Sequence, residues 1–221
     1  MELTNKIINF FTKLTFRSIP KPPYNHIVQL GDPVLRHKCK AVEKGDLQSK
    51  EFKELLHKLR KAVRRYKCAG LSAPQLGINM RVMAFTCPSE SDYYGTSQEY
   101  HLKQMQPYPY TVWINPTLKV LDYSKVTFPE GCESMRGYSA EVARYTRVQL
   151  SGWDEEGRDR QQELSGWLAR IAQHEMDHLD GKLYLDTAQL STLICAFWNR
   201  VNQTGGKVHL SYYPNKILSK G

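Results

Sequence analysis

The 221-residue sequence predicts one domain that mixes helices with strands, because two amphipathic helix patterns bracket a series of short strand-like runs that includes a hairpin turn. A chain of this length buries one core well and is short for two. Its composition, 41% hydrophobic and 24% charged, leaves enough apolar surface for that core. No run of eighteen or more apolar residues occurs, so no stretch reads as a membrane span.

The domain is expected over residues 26–190, preceded by an extension, residues 1–25, and followed by another, residues 191–221. In the first of these, Lys6, Lys13, Arg17 and Lys21 stand against the single acid Glu2, with Ile7, Ile8, Phe10, Phe11, Leu14 and Phe16 between them. A basic, acid-poor, amphipathic start that breaks at Pro20-Lys21-Pro22-Pro23 reads as a mitochondrial transit peptide. The alternative is a basic amphipathic helix docked on the domain.

Phe52, Leu55, Leu56, Leu59, Val63 and Tyr66 recur at helical spacing and predict a helix over residues 48–67. Its other face carries Lys50, Lys53, Lys58, Arg60, Lys61, Arg64 and Arg65, either a solvated face or a contact for an anionic surface such as the ribosome. Strands are expected at residues 81–85, 112–114, 118–123 and 143–152, and Asp154-Glu155-Glu156-Gly157 reads as a turn into a strand at 158–163. Residues 88–109 read as a polar, aromatic-rich loop. A second helix is expected over residues 165–179, closed by Asp180-Gly181. The apolar run Leu190, Leu193, Ile194, Phe197 and Trp198 fits helix or strand.

The formal net charge of +9 suits an anionic partner, a ribosome surface or membrane headgroups, or simply a solvated basic surface. Five cysteines, an odd number with no C-x-x-C pair, argue against a disulfide framework and for a reducing compartment.

The second helix carries His174-Glu175-Met176-Asp177-His178. Residues four apart share a helix face, so the two imidazoles can grip one metal ion, while Glu175 can reach a water on that metal and take its proton. The apolar stripe Leu164, Leu168, Ile171 continues onto Glu175 and His178, which puts ionisable groups on the buried face. That placement is costly unless a metal or a partner satisfies them. The pattern is that of a metal-dependent hydrolase; the plain alternative is a pair of hydrogen-bonded core histidines. A tetrahedral catalytic site wants a third protein ligand and an open position. Downstream, Asp180, Asp186 and His209 stand in no recognisable ligand context, whereas Cys132 lies upstream in a tight Pro129-Glu130-Gly131-Cys132 loop. The glycine before it would let the backbone approach a metal closely.

Gly70-Leu71-Ser72-Ala73-Pro74-Gln75-Leu76-Gly77, Glu130-Gly131-Cys132-Glu133-Ser134 and the segment at 173–179 resemble, in order and spacing, the three signature motifs of the peptide deformylase family. Phe128-Pro129 before the second motif and Ser165-Gly166-Trp167 before the helix are most similar to the animal mitochondrial branch. The resemblance implies an α+β domain with antiparallel β-sheets packed around a central H-E-x-x-H helix. It implies removal of the N-formyl group from the formyl-methionine of nascent, organelle-made chains, with release of formate, in the mitochondrial matrix or alternatively the cytoplasm. Cys132, His174 and His178 would hold one divalent metal, Fe(II) with Zn(II), Co(II) or Ni(II) as substitutes. A Cys/His/His set does not itself select among them. Water on the metal would attack the formyl carbon, with Glu175 as general base and acid. The Gln75 amide and the Glu133 backbone N–H would stabilise the oxyanion. Substrate backbone would pair with the Gly70 and Gly131 segments, and the methionine side chain would enter a pocket edged by Trp167, Arg170 and Ile171. For Trp167 and Ile171, plain core packing is an equal alternative. The ribosome and a second copy of the chain are further partners to be considered.

Two departures from the family pattern stand out. Cys68 occupies a position where glycine is frequent, and Glu133 one where bacterial members carry leucine. A carboxylate at 133 would slow hydroxide attack or alter substrate preference, and turnover low relative to bacterial members is the expectation. Arg170 is an unusual neighbour for a methionine pocket and would snorkel outward or pair with an acid. Competing readings are a zinc endopeptidase using a ligand other than Cys132, and a catalytically weak metal-binding or ribosome-associated relative.

Overall fold

A computed structural model describes residues 20–214. The basic segment read as a transit peptide lies, as far as residue 19, outside the described residues.

The first helix, α1 (Lys50–Tyr66), starts where Ser49 accepts a hydrogen bond from the Phe52 N–H at 3.1 Å, and it ends at Lys67 in the left-handed region with φ 53°. Its expected stripe is the buried one. Phe52, Leu55, Leu59 and Val63 pack into a core with Leu71, Leu76, Val82, Ala84 and Ile114, and truncating one such leucine to alanine costs about 2–5 kcal/mol.

Among the described residues the strands β1 (Gly70–Ser72), β2 (Val82–Cys87), β3 (Tyr108–Gly131), β4 (Tyr138–Trp153) and β5 (Asp159–Ser165) form an antiparallel sheet in chain order, and β6 (Gln189–Cys195) also pairs with β4. The two runs expected at 112–114 and 118–123 are parts of one strand, β3, which continues to residue 131. Register shifts between Ile114 and Thr117 and again around Asp122 absorb the Asn115-Pro116 and Asp122–Lys125 interruptions that break the sequence pattern. The first half of β3 pairs with β2 and its whole second half with β4, so its far end delivers Glu130 and, just past the strand, Cys132 to buried positions.

The segment 88–109 is not all loop. It holds a 3-10 turn (Glu90–Asp92) and a short helix, α2 (Ser97–Leu102), whose start is a capping box between Thr96 and Glu99. The second long helix, α3 (Gly166–Leu179), ends on Asp180 with Gly181 at φ 73°. Its Leu168, Ala169, Ile171, Ala172 and Leu179 pack against Met83, Phe85, Trp113, Val148 and Leu150 of the sheet. The undecided tail is both strand and helix: β6 is followed by α4 (Trp198–Gln203), and β6 runs through residue 190, where the sequence suggested the domain's end. The architecture is α+β, a twisted antiparallel sheet around the central helix α3. No helix among the described residues is long and apolar enough to cross a membrane.

Candidate active site

Three elements meet at one end of the sheet. Cys132 directly follows the last residue of β3, α3 supplies His174, Glu175 and His178, and the turn after β1 supplies Gln75. The thiol of Cys132 and one ring nitrogen of each histidine all lie within 4.8 Å of one another. The Cys132 Sγ is 3.2 Å from His178 Nε2.

Glu130 organises this cluster, and it does so through cations brought from two elements. Opposed residues in an antiparallel pair share a face, and that face recurs every second residue. Pairing of Glu130 with Ala140 and of Val126 with Arg144 therefore sets Arg144 on the side of the sheet that carries Glu130. Arg144 donates two bonds of 2.9 Å to the Glu130 carboxylate and a third of 2.5 Å to Asp177. From α3, Arg170 donates to Glu130 at 2.7 Å and to the Val142 and Val126 carbonyls, and His174 Nδ1 lies 2.9 Å from Glu130. Burial alone would raise the Glu130 pKa, but the bonds from His174 and Arg144 outweigh it and hold the carboxyl well below its usual range. Orientation of His174 through Nδ1 leaves its other ring nitrogen for a metal. Burial, then His174, pushes the His178 pKa well down, which favours the neutral imidazole that a metal binds. For His174 burial is outweighed by Cys132 and Glu130, which raise its pKa.

Glu175 is buried beside the cluster, and burial pushes its carboxyl up to about 7. Its closeness to β1 explains Gly70: a Cβ there would collide with the Glu175 carboxylate. Gly131 is different, since an added Cβ would meet only the Tyr138 carbonyl oxygen at 3.4 Å, so protein packing does not demand a glycine there. The Gln75 amide is fixed at both ends. Its oxygen accepts from the Ser72 N–H at 2.9 Å and the Ser72 hydroxyl at 3.0 Å, and its nitrogen faces Ser134 Oγ at 3.2 Å and Cys132 Sγ at 3.5 Å. Glu133 follows Cys132 and opens a 3-10 turn; its carboxylate lies 3.3 Å from Arg136, and burial raises its pKa against that cation. The thiol of Cys68 is pushed far up by burial and then by Glu175, so it stays neutral.

A cavity of about 540 Å³ opens onto this cluster. Of the residues named from the sequence, Gly70, Gln75, Gly131, Cys132, Glu133, His174 and Glu175 line it, and Trp167, Arg170 and Ile171 form its helix wall. His178 completes the ligand cluster from a fully enclosed position. Ile171 belongs at once to the core and to the cavity wall. Trp167 lies between the Arg170 guanidinium and the Lys103 ammonium, 5.7 and 5.0 Å from its ring. Arg170 does pair with an acid, Glu130, and so is not a free cation in the cavity.

Sequence reasoning missed Glu130, Arg144, Ser72 and Ser134. Glu130, Ser72 and Ser134 sit inside the quoted motifs, so a question about what orients each ligand would have found them. Arg144 lies in a strand with no local signal at all.

The donor set suits a divalent metal. A thiolate and two imidazoles converge, and an enclosed oxygen beside the cluster, Glu175 Oε2, has no hydrogen-bond partner among the described residues.

Comparison with known proteins agrees with this geometry. The polypeptide deformylase family model matches residues 24–192. The chain is 45% identical over 183 residues to the human mitochondrial peptide deformylase, a match that covers 83% of this chain and 75% of that protein. It is 38% identical over 160 residues to peptide deformylase 1A of Arabidopsis thaliana, chloroplastic/mitochondrial, covering 72% of this chain and 60% of that protein. Among solved structures, the peptide deformylase of Thermotoga maritima superposes with a TM-score of 0.61 at 28% identity, covering 75% of this chain and 98% of that one. Ligand cluster, flanking carboxylate, motif order and matched span thus coincide, and the chain belongs to the polypeptide deformylase family.

Proposed function

We propose that Cys132, His174 and His178 hold one divalent metal ion and that the cavity beside them accepts the formyl-methionine end of a nascent chain. The chain is a peptide deformylase, a metal-dependent hydrolase that removes the N-formyl group and releases formate. The observation that carries the assignment of roles is the convergence of the ligand triangle, the Glu175 carboxylate and the doubly held Gln75 amide on one cavity.

When bound, the metal would act as a Lewis acid toward water and the formyl carbonyl. Glu175 accepts the proton of the attacking water and returns it to the departing amine, a role suited to a carboxyl whose pKa burial has brought to about 7. Gln75 donates its amide N–H to the oxygen that becomes negative, and because Ser72 anchors the other end of that amide, little reorientation is needed during reaction. The backbone N–H of Glu133, next to Cys132, is the second donor. Gly70 and Gly131 leave room for substrate backbone, and Trp167 and Ile171 border the methionine side chain. Arg170 acts as a positioning residue, through Glu130.

The metal is proposed to be Fe(II), with Zn(II), Co(II) or Ni(II) as functional substitutes. A mitochondrial site of action, in the matrix, is proposed from the names of the human and Arabidopsis relatives. The exposed basic face of α1 is in keeping with an encounter with the ribosome.

The test is formate release from a short formyl-methionyl peptide by anaerobically purified protein loaded with Fe(II) or Co(II). Glu175→Ala should retain the metal and lose about 10²–10⁴-fold in kcat. A folded, metal-loaded protein that releases no formate would remove the reading. Metal retained by Cys132→Ala would redirect it to a different ligand set.

A further inference from the structure

The matched family span ends at residue 192, yet the active-site cavity does not end with it. Ala196 and Phe197 line the cavity, on the side of Gly137 and Tyr138. They are held there by a strap anchored at several points. β6 pairs with the start of β4 at Tyr138–Cys195 and Ser139–Ile194, and the Ala196 N–H donates to the Gly137 carbonyl at 2.8 Å. Gly137 adopts φ +92°, and a Cβ there would lie 3.2 Å from the Phe197 ring, so the glycine provides both the turn and the seat on which the ring rests. Beyond α4 the chain returns along the same rim. Leu210 reaches the same face of Gly137, the Tyr66 hydroxyl donates to the Tyr212 carbonyl at 2.8 Å, and the Arg65 guanidinium lies 4.7 Å from the Tyr213 ring. Tyr66 also accepts from the Ile27 N–H, so the strap is tied to the body of the domain at the end of α1, next to Cys68 on the cavity's edge.

This wall differs in chemistry from the centre. The Phe197 ring is half-buried, Tyr138 is 45% exposed beside it, and of the charged residues that line the cavity, Glu133 and Arg136 face each other at 3.3 Å. It presents an apolar surface with little net charge.

The geometry points to a subsite, built by the C-terminal strap with Phe197 as its wall, for apolar side chains of the residues that follow formyl-methionine. This rests on the deformylase reading and adds a determinant of substrate choice that the matched family span lacks. A nascent chain held at its formyl end beside Cys132 has to leave past the rim, and on this side the rim is Phe197. Apolar side chains there would shed water against its ring, whereas serine side chains would gain little.

The test compares two peptides of equal length, formyl-Met-Leu-Phe and formyl-Met-Ser-Ser, on the full-length Co(II)-loaded protein. The wild-type chain should favour the apolar peptide by about tenfold in kcat/KM, mostly through KM, the scale of one well-placed apolar contact. In Phe197→Ala that preference should fall to about twofold, and in Phe197→Leu it should be largely kept. A preference unchanged in Phe197→Ala, or an equal loss on both peptides, would overturn the proposal, because a merely structural strap moves both rates together. Wild-type protein that released no formate from either peptide would remove the deformylase reading, and the subsite with it.

Discussion

The two walls of the active-site cavity are built on different principles. The inner one, the Cys132/His174/His178 cluster on Glu130, is enclosed and over-determined. Glu130 is held by two arginines and a histidine, Arg144 also binds Asp177, and Gln75 is fixed at both ends of its amide. The outer one, Arg136, Tyr138 and Phe197, is half-open and held by a strap on the edge of the sheet. Enclosed charges need every partner in place, because an unpaired ion in low dielectric is expensive, so the inner wall has little freedom to vary. A half-exposed ring on a strap carries no such constraint. The contrast teaches where each property of the enzyme resides: chemistry in the part that cannot change cheaply, peptide preference in the part that can.

The largest effect that would break this contrast is at Glu130. Glu130→Gln leaves Arg144 and Arg170 without their shared anion, and unfolding free energy should fall by about 3–5 kcal/mol. In the same variant the loss of the carboxylate behind His174 should weaken metal affinity by about 10–100-fold, read by competition with a chelator. Retained stability and affinity would mean that the inner wall is not organised by Glu130. A smaller effect is expected at Ser72, which holds the Gln75 amide and also reaches the Glu175 carboxyl. Ser72→Ala removes one bond to the amide oxygen and should lower kcat by about fivefold with KM nearly constant, the scale of one hydrogen bond. The smallest belongs to the rim. Glu133→Leu should raise turnover by less than about threefold, since Arg136 already faces that carboxylate and offsets its charge. A large rise would show that Glu133 acts as a brake on the inner wall and that the two walls are coupled.

Legibility in the sequence followed the same division. The helix α3 and the face it buries were readable because periodicity is local: Leu168, Ile171, Glu175 and His178 fall on one face whatever surrounds them. Cys132 was readable through its motif. The continuity of β3 was not, since Asn115-Pro116 and the polar residues 122–125 look like strand ends, and only the bulged pairing with β4 carries the strand through them. Helix α2 was missed although Thr96 and Glu99 stand in capping-box spacing, because the tyrosines around it hide any apolar stripe. The Arg144 and Phe197 roles had no local signal.

What the sequence by itself determined is the set of groups that can do the chemistry and the helix that presents two of the candidate ligands, because i to i+4 spacing fixes that geometry without reference to the rest of the chain. What only the tertiary structure decided is which distant groups complete it. Strand register carries Arg144 beneath Glu130, the Glu175 side chain fills the space a Cβ at Gly70 would take, and the pairing of β6 with β4 brings Phe197 to the mouth of the cavity. These are contacts between residues far apart in the chain, selected by burial and by hydrogen-bond satisfaction, and neither is written in any short stretch of sequence.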